Sequence, residues 1–289
     1  MDRVLGKAVR RLSTGVALLV GVALAATTGT GAVPAETPRK VYISAVDASG
    51  APVTDLTAAD IAVKEDGKDR QVASLARATE QMDVHLFVDD NGSGAYQGGV
   101  LEILQALIEH AQFTIYELAP QAVKILDASK EFEGIQAALN RLGPRGKVDP
   151  HGEQLAEALG TVAREFREKK PARPVIVVMT IGGDQGHRNQ DLIMNDVRRS
   201  GANVNVIFLQ NAGIGLVLGD SPRETGGQSV RIGSVNAIPP AVKQITDALL
   251  NQYALTYTLP DGVDPSDRVN ITTTRSGIKL LAPSRIPKE

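Results

Sequence analysis

The chain has 289 residues, 43% of them hydrophobic and 22% charged, which is enough apolar material for one large domain or two smaller ones. Aromatic residues make up only 3% and tryptophan is absent, which argues against a stacking platform for bases or sugars and requires an aliphatic core. There is no cysteine to form a disulfide, and a formal charge of −2 makes the chain as a whole a poor match for nucleic acid or an anionic membrane.

The first segment has its own character. Arg3, Lys7, Arg10 and Arg11 precede an apolar run from Gly15 to Ala26, and small residues follow, with cleavage expected after Ala26 or Ala35. This is the pattern of a secretory signal peptide, residues 1–35, and the run is short for a transmembrane helix. An uncleaved membrane anchor is the alternative. Cleavage would leave 27 basic against 32 acidic residues, a charge of −5. The expectation is a secreted or periplasmic protein with no membrane span after cleavage and no nucleic-acid partner.

Thr37 to Arg39 reads as a linker. Val41–Asp47, Ile61–Glu65 and Gln71–Ala76 read as strands, the last two joined by an Asp66-Gly67 hairpin turn, giving a small β unit within 36–80. From Asp83 the pattern turns to alternating strands and helices. Val84–Val88, Phe113–Leu118, Val175–Met179 and Val204–Leu209 are apolar runs of the buried parallel kind. Ala122–Leu126 is a further strand, expected antiparallel because its connection through Ala119-Pro120 is too short for a crossover. Helices are expected over Val100–His110, Phe132–Leu142, Gln154–Lys169, Leu192–Ser200 and Pro240–Asn251, and Asn211–Gly219 reads as a glycine-rich loop. Such alternation predicts an α/β fold with a doubly wound, mostly parallel sheet over 81–252. Beyond Tyr253, over 253–289, alternation in Tyr253-Ala-Leu-Thr-Tyr257 and the runs Val269–Thr274 and Ile278–Leu281 return to β structure.

One stretch joins a strand end to a helix start: Asp89-Asp-Asn-Gly-Ser93 after Val84–Val88. Its spacing resembles the Asp-x-Ser-x-Ser loop of the metal-ion-dependent adhesion site in von Willebrand factor A (VWA) domains, with Asn91 in place of the first serine. The order of parts resembles the VWA-related proteins often found in Acidobacteria: signal peptide, a phrase like Val53-Thr-Asp-Leu-Thr-Ala-Ala-Asp-Ile-Ala-Val-Lys-Glu-Asp-Gly67, the α/β domain, Thr225-Gly-Gly227 and the Tyr253–Tyr257 strand.

The resemblance implies a VWA or Rossmann-like fold, flanked by small β segments, and a cation site built from three loops. Asp89 and Ser93 match that site, while Asn91 and Glu153 are oxygen-bearing replacements. Ile181 stands where an acidic residue is expected and cannot coordinate. Asp89, Asn91, Ser93 and Glu153 with waters are the candidate ligands for Mg²⁺ or another divalent cation, weakly held or absent in so degenerate a site. Asp90, His151, Asp184 and His187 join them as candidate partner-binding residues on the loops.

Motifs for catalysis are missing. Gly92-x-Gly94 has Gln97 where a dinucleotide fingerprint needs its third glycine, and neither a Walker sequence nor a Gly-x-Ser-x-Gly elbow is present. The four histidines, His85, His110, His151 and His187, have no metal-ligand spacing. The VWA resemblance implies a protein-binding module, not an enzyme, that recognises its partner through the loops at the carboxyl edge of the sheet. A structural or assembly factor of the cell envelope is the alternative, and a hydrolase has less support.

Overall fold

The structure, a computed structural model, describes residues 36–118, 121–144, 152–184 and 188–288, with side chains from 154 onward in the third span. The expected signal peptide, His151 and His187 lie outside the described residues, as does the side chain of Glu153. Among the described residues no helix is long and apolar enough to cross a membrane.

The chain enters through β1 (Thr37–Val46), β2 (Ile61–Glu65) and β3 (Lys68–Arg77). The α/β part follows as β4 (Met82–Asp89), α1 (Gln97–Leu107), β5 (Ala111–Leu118), β6 (Ala122–Ser129), α2 (Phe132–Arg141), α3 (Gly152–Lys169), β7 (Arg173–Thr180), α4 (Gln190–Ser200), β8 (Asn203–Leu209), α5 (Leu216–Thr225), β9 (Ser229–Ile232) and α6 (Ile238–Leu250). Three strands close the chain: β10 (Tyr253–Leu259), β11 (Val269–Thr273) and β12 (Lys279–Leu281).

β4 to β9 form a six-stranded sheet in the order β6-β5-β4-β7-β8-β9. All neighbours are parallel except β6, which runs antiparallel to β5 as the short connection requires. The order is that of a doubly wound sheet. Every residue of β4 and β7 is buried. Met82, Val84, Leu86 and Val88 enter one core with α1, α2 and α6, while Phe87, Ile176 and Val178 enter another with α3, α4 and α5. Side chains alternate across a strand, so each helical layer receives its own set.

The remaining strands form a second six-stranded sheet, β11-β2-β3-β10-β1-β12, antiparallel throughout. Its end strands β11 and β12 approach each other, so the sheet curls around a core that includes Val41, Ile43, Val63, Leu255, Tyr257 and Ile271. Strands from both ends of the chain interleave here. Thr37 to Arg39, expected as a linker, are paired with Tyr257–Leu259, because the alternating β10 offers an edge reaching that far.

The second correction is α5. The stretch expected as a loop to Gly219 is helical from Leu216, although it contains Gly219 and Pro222. The reason is a distant cap: Asp184 accepts from the Gly215 and Leu218 N–H groups at 2.5 and 3.0 Å and satisfies the orphan donors of that helix start.

Candidate functional site

β4 and β7 are neighbours in the sheet, but the strands that follow each in sequence lie on opposite sides. A crevice opens beyond the carboxyl ends of such a pair, where open α/β sheets place ligands. Asp89 ends β4, Thr180 ends β7, and the two are paired in register.

They are also bonded through their side chains. The Thr180 hydroxyl donates to Asp89 Oδ2 at 2.6 Å and accepts from the Gly183 and Gly182 N–H groups at 2.7 and 3.1 Å. The Ile181 N–H donates to the Asp89 carbonyl at 3.0 Å. Below them Tyr96 is fully buried, and its hydroxyl donates to the Thr180 carbonyl at 2.8 Å. Burial, reinforced by the charges of Asp89 and Asp90, pushes the Tyr96 phenol well above its ordinary value, so it remains a donor. The floor of the crevice is thereby fixed.

The loop beyond Asp89 is shaped by its backbone. Asn91, Gly92 and Gly94 have φ of 53, 72 and 73°, a left-handed path that asparagine and glycine tolerate. A Cβ on Gly94 would stand 2.8 Å from the ring of Pro144, so the loop rests against that proline. Asp90 is buried, and its Oδ1 accepts from the Gly92 N–H at 2.9 Å, an Asx turn that holds the loop. Ser93 is exposed, and its hydroxyl accepts from the Ala95 N–H at 3.2 Å. Asn91 is half-buried, and its Oδ1 is buried with no hydrogen-bond partner among the described residues.

Asp184 sits on the neighbouring loop but turns inward. It is 0% exposed, and both carboxylate oxygens are engaged by the start of α5. Burial raises its pKa above the usual carboxylate value, against the opposing pull of those backbone donors. Its role in this geometry is to pin the loop, with Gly183 pressed so close to Gly213 that a Cβ would stand 2.2 Å from the Gly213 carbonyl oxygen. Glu153 lies in the first turn of α3. Of the remaining histidines, His85 is buried in β4 with its ring 4.6 Å from that of Phe166.

Of the four candidate ligands, Asp89, Asn91 and Ser93 have described side chains and Glu153 does not. Asp89 Oδ2 is taken up by the Thr180 hydroxyl, and Ile181, in the place of the expected acid, packs against the core under α1 and α6. Among the described residues no group of three or more His, Cys, Asp or Glu side chains is placed to hold a metal. A hard divalent cation needs several converging oxygens, and among the described residues the loop offers the Asp89 and Asp90 carboxylates, each already bonded through one oxygen, with an amide oxygen and a hydroxyl.

Two groups escaped the sequence. Thr180 joins the strand ends through its hydroxyl, and its signal was visible: a threonine ending a buried strand just before Gly182-Gly183. Tyr96 gave no signal beyond an apolar helix start.

No protein-family model matches the chain, and no curated protein matches it. Similar solved structures include a von Willebrand factor type A protein from Catenulispora acidiphila, with 10% identity over 88% of this chain and 75% of that one, at a TM-score of 0.46. The ArnB paralog VWA2 from Sulfolobus acidocaldarius shows 12% identity over 87% of this chain and 76% of that one, also at 0.46. Proximal thread matrix protein 1 from the mussel byssus, solved with a zinc-occupied MIDAS motif, shows 13% identity over 64% of this chain at 0.46. The chain spans 49% of that protein's length. At such identities the likeness concerns the fold alone, and the fold described here rests on its own strand order.

Proposed function

We propose that the chain is an exported, non-catalytic binding module of VWA type that recognises a protein partner through the loops at the carboxyl edge of its parallel sheet. The observation that carries this reading is the Asn91 amide oxygen, buried at the crevice without a donor among the described residues. A buried acceptor left unpaired costs about 1–3 kcal/mol. A donor from an incoming side chain, such as the ammonium of a lysine or an amide N–H, would recover it.

The adjoining Asp89–Thr180 pair supports the same reading, since it supplies a rigid, prearranged floor. Contact in this reading is direct, in a degenerate site that no longer depends on a cation. Export rests on the basic, apolar and small-residue order of residues 1–35, and a secreted or periplasmic location follows from it.

A photo-crosslinking residue at Ser93 of the full chain, expressed in the cells that make it, tests the proposal against the same residue at Ala73 on the exposed β3. A discrete protein adduct from position 93, absent from position 73 and unchanged in EDTA, is the expected result. Equal adducts from both positions overturn the loop-face assignment. An adduct that disappears in EDTA and returns with Mg²⁺ overturns cation-free contact.

A further inference from the structure

At the opposite end of the parallel sheet lies a groove of about 1000 Å³. Arg173 begins β7 and Thr180 ends it, so the groove and the crevice are separated by about 23 Å along the strand. On an acidic chain this groove is basic: nine lysine or arginine side chains line it, against a single aspartate, Asp267.

Many of these cations are already paired. Arg39 meets Glu65, Lys40 meets Glu80, Arg167 meets Asp196, Arg198 meets Glu224 and Arg285 meets Asp267. Arg173, Arg199 and Lys288 have no carboxylate partner among the described residues. Arg173 is the telling one. It is 4% exposed, and its guanidinium donates only to neutral oxygens: Gln252 Oε1 at 3.0 Å, the Glu80 carbonyl at 3.3 Å and the Leu249 carbonyl. Its guanidinium carbon lies 5.6 Å from the centre of the Tyr42 ring. The Glu80 carboxylate, bonded to Lys40, acts on it only through space, and a buried cation without a direct carboxylate contact gains from a further anion that approaches it.

One wall of the groove is a strand edge. β1 pairs with β10 from Thr37 to Ile43, but on its other side β12 pairs only with Ser44 to Val46. The chain then leaves that edge. The Ser284 and Arg285 N–H groups turn to the Glu224 carbonyl at 3.0 and 3.1 Å, and Pro283 has no N–H to continue the ladder. The outer edge of Thr37–Ile43 therefore has no strand partner among the described residues, and Thr37 to Tyr42 line the groove. An unpaired edge is a template for an added strand.

We infer that this groove binds an extended acidic polypeptide segment of another protein, which pairs with β1 where β12 leaves off and sets its carboxylates against Arg173, Arg199 and Lys288. The pairing supplies main-chain hydrogen bonds and the cations select the sequence. A second copy of this chain does not fit the same edge, since Arg39 and Lys40 would face their own counterparts. Pro38 and Lys40 further discourage pairing with an apolar strand.

The test uses the chain from Glu36 onward and a fluorescent peptide of alternating Glu and Val, long enough to span Thr37–Ile43, followed by anisotropy at low salt. Saturable binding is expected, with no binding of the matching Lys-Val peptide. The exposed double variant Arg199→Glu with Lys288→Glu should weaken it by about tenfold. Two N-methylated forms of the peptide, blocked at odd or at even residues, should differ, because only every second N–H of an added strand faces its neighbour. One form keeps binding and the other loses it. Amide exchange over Thr37–Ile43 should slow when the peptide is present. No saturable binding, equal binding by the charge-reversed variant, or equal loss in both methylated forms overturns the proposal. These readouts do not involve Asn91 or Ser93, so they stand or fall separately from the crevice.

Discussion

In the parallel sheet every residue of β4 and β7 is buried, and alternate side chains enter two separate cores. In the antiparallel sheet β2 and β10 alternate buried positions with exposed or half-buried ones, and β3 is buried nowhere along its length. The first sheet is covered on both faces by helices and can rely on aliphatic packing alone. The second has one core face, interleaves strands from the two ends of the chain, and adds a buried charge to hold them. Glu65 is 0% exposed and accepts from Arg39 at 2.8 Å on β1, the Tyr257 hydroxyl at 2.7 Å on β10 and the Ser266 N–H at 2.6 Å in the loop before β11. One carboxylate ties four segments that are far apart in sequence.

The largest effect should therefore come from removing that carboxylate. Glu65→Ala leaves the mostly buried Arg39 guanidinium without its counter-charge and should cost about 3–5 kcal/mol, read as a drop in the urea midpoint. Loss of amide protection should appear in β1 and β10 and leave β4 and β7 unchanged. A cost below about 1 kcal/mol, the level of an exposed pair, would mean that the antiparallel sheet is held by its apolar face alone and the comparison fails.

A smaller effect sharpens the other half. Ile115 and Ile176 are both 0% exposed and face opposite cores of the parallel sheet. Ile115→Val and Ile176→Val should each cost about 0.5–1.5 kcal/mol, because both faces are packed. On β3, Ala73→Ser should stay within about 0.5 kcal/mol. A neutral Ile176→Val beside a costly Ile115→Val would mean that one helical layer is loosely applied.

The same difference explains what the sequence disclosed. Two-sided burial writes continuous β-branched runs, so Val175–Met179 and Val204–Leu209 marked β7 and β8 to within a residue or two. The antiparallel strands alternate and were legible as strands, but their order was not. Nothing local in Thr37–Arg39 says that its partner lies beyond residue 250. α5 was hidden for the same physical reason, since its capping group, Asp184, is supplied from another loop. At the crevice Asp89, Asn91 and Ser93 fall on one loop as their spacing suggested, while the inward turn of Asp184 follows from tertiary packing. The basic groove left no motif at all: its cations come from four separate stretches of an acidic chain.

The smallest effect is one of sign. Asp60 beside β2 accepts from the Thr57 N–H and hydroxyl, both at 2.8 Å, and these bonds hold its pKa below the ordinary value. A depressed folded pKa means that the unfolded chain binds more protons, so stability rises with pH across the window between the folded and unfolded values. The advantage of the native protein over Asp60→Asn should be present above the ordinary carboxylate pKa and vanish as pH falls through the folded one. Asp184, on the loop beyond β7, is shifted the other way by burial. Its contribution is fully present below the unfolded pKa and is lost as pH rises through the folded one, so the advantage over Asp184→Asn should be greatest in acid and shrink toward neutrality. Urea midpoints of the three proteins across acid and neutral pH separate the two slopes. Parallel slopes for both variants would mean that Asp184 is solvated in solution and that the loop it pins to α5 opens.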